Sequence, residues 1–211
     1  MLIGLTGLYS AGKNHVAVLL EKKGLLVLDV DKLGHAAIEN RKADICARFG
    51  NDILNPDDSV NRRLLGEKVF GKEGELNALE AIVHPEANRL TEEWVAAHDG
   101  KTCVINAALL HKSVVFSRLD CIIIVSAPWL VRLIRAKRRD KLPWTLLLKR
   151  FSSQKQYKAQ YLAGNADIYK VENPGLERSG WAGLGFHPGC HSGCHLECQI
   201  DAILSKLGAG T

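Results

Sequence analysis

The chain is 211 residues long, enough for one domain with a substantial core or for one domain with a smaller lid. Its hydrophobic share of 46% and charged share of 24% are ordinary for a soluble globular protein, and no apolar run approaches the roughly 18–20 residues of a membrane span. The net charge of +5 is modest, and the opening lacks the basic n-region of a signal peptide, so an unprocessed cytoplasmic protein is expected.

Along the chain, LIGLT at 2–6 reads as a short buried strand. GLYSAGKN at 7–14 breaks it, and NHVAVLLEKKG at 14–24 continues with apolar residues at helical spacing until Gly24. LLVLDVD at 25–31 is a second strand ending in two carboxylates, and the stretch 32–50 is helical with a break near Asn40. NPDD at 55–58 is a turn. Two helices follow, RRLLGEKVFG and the long KEGELNALEAIVHPEANRLTEEWVAAH, in which Pro85 is expected to mark a bend or boundary. KTCVINAALL at 101–110 and DCIIIVSAP at 120–128 are two more strands, and their near-continuous Val, Ile and Leu suit a parallel sheet covered on both faces. WLVRLIRAKRRD is a basic helix, PWTLLLKRFSSQKQYKAQYL a helical pair, DIYKVEN a last short strand and QIDAILSKL a final helix. Strands alternating with helices indicate an open, doubly wound α/β sheet.

Chemistry concentrates first at the glycine loop. Gly7, Gly12 and Lys13 form a GxxxxGK pattern between a strand and a helix, the context a phosphate-binding P-loop requires. Glycines let the backbone curl so that its N–H groups point at phosphate oxygens, and the helix N-terminus adds its positive end. Gly7, Tyr9, Ser10, Ala11, Gly12, Lys13 and Asn14 are therefore the candidate nucleotide contacts. The alternative is a tight strand-to-helix turn with an exposed lysine. Asn14 stands where such a loop places a Ser or Thr hydroxyl for Mg²⁺. An amide oxygen is also a hard donor, and Mg²⁺ keeps several waters, so Asn14 is the candidate metal residue, directly or through water. Asp29 and Asp31, at i and i+2 of an extended segment, share a face at the carboxyl edge where open α/β sheets bind ligands. One carboxylate there can accept a proton from an attacking hydroxyl while the other orients it; Asp31, just before a helix, is also a candidate N-cap.

With these residues in place, the chain resembles the dephospho-CoA kinases, P-loop kinases of the nucleoside-monophosphate-kinase-like type. IGLTG…AGK matches that family's opening and VLDVD its VIDAD segment. FGNDILNPDDSVNRRLLGEKVFG resembles the family form FG..IL...G.I.R..LG..VF, with Arg62 or Arg63 at its arginine, and LEAIVHPE, with His84 and Pro85, matches LE.I.HP.V. Arg135 and Arg139 fall at the lid arginines, RFSSQ at 150–154 resembles RI.AQ, Ala166 and Asp167 match AD, and Asn173 approximates the terminal asparagine.

The resemblance implies an α/β P-loop three-layer sandwich: an open, mostly parallel sheet of about five strands flanked by helices, with helical acceptor-binding and lid segments. The resemblance runs over roughly 1–173, and the whole chain, 1–211, is read as one kinase domain. The nucleotide core is 1–31 with 101–175, the acceptor segment about 32–98, the lid about 129–163, and an atypical tail covers 176–198. It implies transfer of the ATP γ-phosphoryl group to the ribose 3′-hydroxyl of dephospho-CoA. Lys13, Arg135 and Arg139 would meet the phosphates, Asp31 would act as base with Asp29 assisting, and Arg62, Arg63 and His84 would bind the acceptor. ATP and Mg²⁺ are the implied cofactors. ATP and dephospho-CoA are the implied partners of a monomer or weak homo-oligomer, with no nucleic acid and no membrane.

The departures are specific. Asn14 and His15 replace hydroxyl residues, His35 stands at an arginine position, and NAALLHK at 106–112 replaces D.PLL.E, losing a carboxylate at Asn106. Two further readings stay open: a related kinase of another nucleotide or nucleoside, and a non-catalytic nucleotide- or nucleic-acid-binding relative. From Arg132 to Arg150 eight Lys and Arg face one acid, Asp140. Without interleaved aromatics at the core of the run, this suits a phosphate lid better than a base-stacking platform, with Trp129 and Trp144 packing the lid onto the core. Cys46, Cys103 and Cys121 sit singly in apolar segments as reduced, buried thiols. In the tail, His187, His191 and His195 step by four, as do Cys190, Cys194 and Cys198. That set suits Zn²⁺, but Pro188, Gly189 and Gly193 interrupt any helix and favour an exposed surface segment.

Overall fold

The computed structural model describes residues 1–152, 161, 166–174 and 195–209. Its sheet is built from β1 (Leu2–Gly7), β2 (Leu26–Asp29), β3 (Cys103–Asn106), β4 (Cys121–Ser126) and β5 (Asp167–Glu172), in the order β2-β3-β1-β4-β5. β1 runs parallel to β3 and β4, and β4 parallel to β5. The register sets Leu5 beside Asn106 and Gly7 beside Val125, so β1 and both its neighbours end together at one edge. Ile3, Leu5, Val104, Ile123 and Val125 are fully buried, which is why these runs read as continuously apolar instead of alternating.

Around this sheet the chain forms α1 (Lys13–Lys22), α2 (Val30–Asn40), α3 (Lys42–Phe49), α4 (Arg62–Val69), α5 (Glu73–Ala97), α6 (Trp129–Asp140), α7 (Trp144–Ser152) and α8 (His195–Leu207). α1 buries Val16, Ala17, Leu19 and Leu20 in the sheet core, and Leu20, fully enclosed, would cost about 2–5 kcal/mol if cut to Ala. α8 adds Ile200, Ile203 and Leu204 to the same core. Its Gln199 accepts from the Glu172 amide at 2.9 Å and donates to the Glu172 carbonyl at 3.0 Å, covering the end of the edge strand as a further strand would.

The chain divides into two compact units, Met1–Val27 with Gly100–Thr211, and Leu28–Asp99. The second has its own core of Ile45, Phe49, Ile53, Val60, Leu65 and Val69. Among the described residues, no helix is long and apolar enough to cross a membrane.

Four expectations need adjusting. β2 stops at Asp29, whose carboxylate accepts from the amides of Asp31 and Lys32 and caps α2, so Asp31 lies in the first helical turn and the cap is Asp29. β3 stops at Asn106: the next amide, Ala107, donates to Leu5 at 3.0 Å, and the chain then turns through a 3-10 segment at Leu110–Lys112. α5 runs unbroken through Pro85, which forgoes one helical hydrogen bond without ending a 25-residue helix. Trp129 and Trp144 remain 48% and 52% exposed and pack on lid residues, Phe151 and Lys137, instead of on the core. The second helix of the pair read over 143–162 lies outside the described residues, save Tyr161.

Candidate active site

The strand–loop–helix unit of the first compact unit is folded as a phosphate cradle. Leu8 donates to the Val125 carbonyl at 3.0 Å and Ala11 to the Leu8 carbonyl at 2.9 Å, which curls the loop back on itself. Gly12 caps α1 with φ +95°, a left-handed conformation, and a Cβ there would stand 2.3 Å from the Asn173 side-chain nitrogen. Ser10 is also left-handed, at φ +58°, and its hydroxyl is buried without a hydrogen-bond partner among the described residues. Strained positions and unanswered buried hydroxyls of this kind cluster at functional loops.

Two sets of side chains grip this loop. On the Gly12 side, the Ala11 carbonyl accepts from Asn173 Nδ2 at 2.9 Å and from the Arg135 guanidinium at 3.2 Å. Arg135 also donates to the Asn173 carbonyl and side-chain oxygen, each at 3.3 Å. Burial pushes the Arg135 pKa down from the usual arginine range. Arg135 is therefore committed to the loop's own carbonyl and the end of β5.

On the other side, the Tyr9 hydroxyl donates to Asp140 Oδ2 and accepts from Arg150 at 3.3 Å. The Arg139 guanidinium lies 5.2 Å from the Tyr9 ring centroid and makes a paired contact with Asp140, at 2.7 and 3.3 Å. Phe151 meets the Tyr9 ring edge-on at 5.5 Å. The hydrogen bond from Arg139, with that from Tyr9, holds the Asp140 carboxyl below the usual range despite its burial. Two guanidinium groups and one carboxylate leave this network with net positive charge beside the loop.

Below the loop, Asn106 is 1% exposed at the end of β3, and its side-chain nitrogen donates to Asn14 Oδ1 at 3.4 Å. Asn106 Oδ1 is buried without a partner among the described residues. That orphaned oxygen fits a magnesium-bound water, since Mg²⁺ retains most of its waters and takes few protein ligands. The amide pair thus fits an outer-sphere hold on the metal.

In the second unit, Arg62 and Arg63 open α4, whose N-cap is Asn61. Asn61 Oδ1 accepts from the amides of Arg63 and Leu64 at 3.2 Å, and its nitrogen donates to Asn55 at 2.8 Å. The Glu39 carboxylate accepts from the Val60 amide at 3.1 Å. These bonds fix a cleft of about 670 Å³ lined by His35, Glu39, Asn55, Arg62 and Arg63 among others. Arg63 reaches Glu67 at 2.8 Å, whereas no ion pair holds Arg62 among the described residues. His84 is half exposed, 3.6 Å from Glu80, and does not line that cleft.

Sequence reasoning singled out the loop residues, Arg135 and Arg139, and the structure brings all of them together. It did not single out Tyr9 as an anchor for the lid arginines, nor Asp140 and Arg150, nor the pairing of Asn14 with Asn106. The lone acid within a basic run and the two simultaneous carboxylate and hydroxyl losses were the available signals. Most of the Cys- and His-rich tail lies outside the described residues. Among the described residues no group of three or more His, Cys, Asp or Glu is placed to hold a metal.

A curled GxxxxGK loop joining the central strand of a five-stranded parallel sheet to a helix packed on that sheet, with arginines on both flanks of the loop, defines a P-loop phosphotransferase. Comparison with known proteins narrows the class. The family model for dephospho-CoA kinase matches residues 1–173. The dephospho-CoA kinase of Treponema pallidum strain Nichols is 34% identical over 184 residues, covering 82% of this chain and 87% of that one. That of Thermobifida fusca strain YX is 32% identical over 179 residues, covering 83% and 88%. The solved structure of TT1252 from Thermus thermophilus superposes with a TM-score of 0.74 at 29% identity, covering 98% of this chain and 97% of that one. The chain belongs to the dephospho-CoA kinase family.

Proposed function

We propose that this chain transfers the γ-phosphoryl group of ATP to the ribose 3′-hydroxyl of dephospho-CoA, giving CoA and ADP, the last step of coenzyme A biosynthesis. The observation that carries the reading is the curled phosphate loop with Lys13 at the head of α1, in a chain of this family. Phosphoryl transfer asks a protein chiefly for positioning and charge neutralisation. Lys13 and the loop amides hold the donor phosphates. Arg139, with its face on Tyr9 and its edge on Asp140, meets the equatorial oxygens of the transferring group, and Arg150 supports it. Arg135 holds the loop in shape from behind.

On the acceptor side, Asp31 orients the attacking hydroxyl and takes its proton, while Asp29 fixes the first turn of α2 that carries it. Arg62 binds an acceptor phosphate, a role favoured over Arg63 because no ion pair holds Arg62 among the described residues, and His84 contributes from α5. Mg²⁺, when bound, neutralises the polyphosphate, and Asn14 with Asn106 would hold it through its water shell. ATP and dephospho-CoA are the partners, and a cytoplasmic monomer or weak homo-oligomer is the setting.

Purified protein incubated with ATP, Mg²⁺ and dephospho-CoA, set beside adenosine, AMP and guanosine monophosphate, tests this. CoA forms, the other acceptors lag far behind, and Lys13→Ala lowers turnover by about a thousandfold, the upper range for losing one preorganised charge-stabilising donor. Preferential turnover of a nucleoside monophosphate would assign the chain to a different acceptor.

A further inference from the structure

Two departures that stand 92 residues apart in the chain meet in space. Asn14 replaces a hydroxyl that would ligate Mg²⁺, Asn106 replaces a carboxylate, and the Asn106 amide nitrogen donates to Asn14 Oδ1 at 3.4 Å. Register places Asn106 opposite Leu5 on the strand that runs into the phosphate loop, so the pair sits at the loop's base. Asn106 is 1% exposed, yet among the described residues its Oδ1 accepts no hydrogen bond. A buried, unpaired amide oxygen is a destabilising feature that persists where a bound species supplies the donor.

The charge balance of the site follows. A hydroxyl with a carboxylate grips the metal and carries one negative charge, which repels metal-free ATP. An amide pair carries none. In partly desolvated surroundings a unit charge a few ångströms from a phosphate changes affinity by tenfold or more.

We propose that Asn14 and Asn106 form one neutral, outer-sphere seat for a hydrated divalent cation, so that this chain binds ATP almost equally well with and without Mg²⁺. This rests on the kinase reading above, but it concerns nucleotide affinity and not turnover. Asn106 Oδ1 takes a hydrogen bond from a water, which the metal brings when present. Asn14 Oδ1 keeps one lone pair for a second water. Restoring the carboxylate makes ATP binding depend on the metal again.

Calorimetric titration of the full chain with ATP, once in EDTA and once in millimolar Mg²⁺, tests it. The unmodified protein is expected to show dissociation constants within about threefold of each other. Asn106→Asp is expected to lose about tenfold or more in EDTA, to regain it with Mg²⁺, and to lower the Mn²⁺ concentration needed to saturate the ATP complex. Asn14→Ser, at an exposed position that does not threaten folding, is expected to move the Mn²⁺ midpoint only when combined with Asn106→Asp, a non-additivity that reports a shared seat. A tenfold or larger drop in ATP affinity on removing Mg²⁺ from the unmodified protein overturns the proposal by itself. So does a folded Asn106→Asp protein whose affinity ignores the metal. Either result leaves the acceptor assignment standing, whereas ATP binding without CoA formation overturns that assignment alone.

Discussion

The two flanks of the phosphate loop are held by opposite physics. At the Gly12 end, Arg135 and Asn173 converge on one carbonyl in a mostly buried clasp, and Asn173 fills the space a Cβ on Gly12 would need. At the Tyr9 end, Arg139, Arg150 and Asp140 form a charged cluster in which the Arg139 side chain is 60% exposed. Both flanks use an arginine from α6, four residues apart. The difference teaches that sequence spacing identifies which arginines reach a site and leaves open what each does there. Arg135 binds the loop's own carbonyl, while Arg139 lies on Tyr9 and Asp140 and is the arginine proposed to meet the nucleotide phosphates.

The largest effect that would sharpen this contrast is on turnover at Arg139. Its ion pair with Asp140 is an exposed one, worth at most about 1 kcal/mol to stability. Arg139→Ala is therefore expected to lower kcat by about a hundredfold while leaving the melting temperature within about 2 °C. Rapid-quench kinetics and scanning fluorimetry on one preparation give both numbers. A loss of stability without loss of kcat would reverse the roles assigned to the two arginines.

Arg135→Ala, or Asn173→Ala, comes next and inverts the pattern. Either removes donors from the buried Ala11 carbonyl, at about 1–3 kcal/mol. For a chain of this size that lowers the melting temperature by roughly 5 °C. The affinity for ATP is expected to weaken in step with stability, because the loop amides lose their arrangement. Gly12→Ala should resemble these variants and exceed them, since it adds a left-handed strain to the 2.3 Å clash with Asn173. If Gly12→Ala were neutral, the clasp would not be the element that shapes the loop.

How far the sequence was legible follows the same line. The sheet, its parallel pairing and the helix after the loop were readable, because continuous apolar strands and a glycine-broken run leave little physical choice. Element ends were less so. Asp29 and Asp31 look alike in an extended segment, and only the competition between strand and helix for the next amides makes Asp29 the cap and draws Asp31 into the turn. Pro85 proves no boundary, because a long helix absorbs one missing hydrogen bond. At the site, Tyr9 reads from sequence as a free position of the loop motif. Its partners come from residues 139–151, and such long-range convergence has no periodic signature.

The smallest effect distinguishes the two components of that convergence. Tyr9→Phe keeps the ring, and with it the Arg139 face contact and the Phe151 edge contact, but deletes the hydroxyl that joins Asp140 to Arg150. The ring contact with Arg139 is worth roughly 0.5–1 kcal/mol at an exposed site, and the hydroxyl's bonds to charged groups about 1.5–3 kcal/mol of stability, of which only a fraction is specific to the transition state. Tyr9→Phe is thus expected to change kcat by about threefold, and Tyr9→Leu, which loses both, by about tenfold. Asp140→Asn separates the carboxylate from the phenol. It frees Arg139 and Arg150 from their counter-charge, so ATP should bind a few-fold tighter while kcat falls, because the arginines are no longer held at the loop. If Asp140→Asn weakened ATP binding instead, the carboxylate would be part of the nucleotide's own surroundings, and the exposed flank would resemble the buried one.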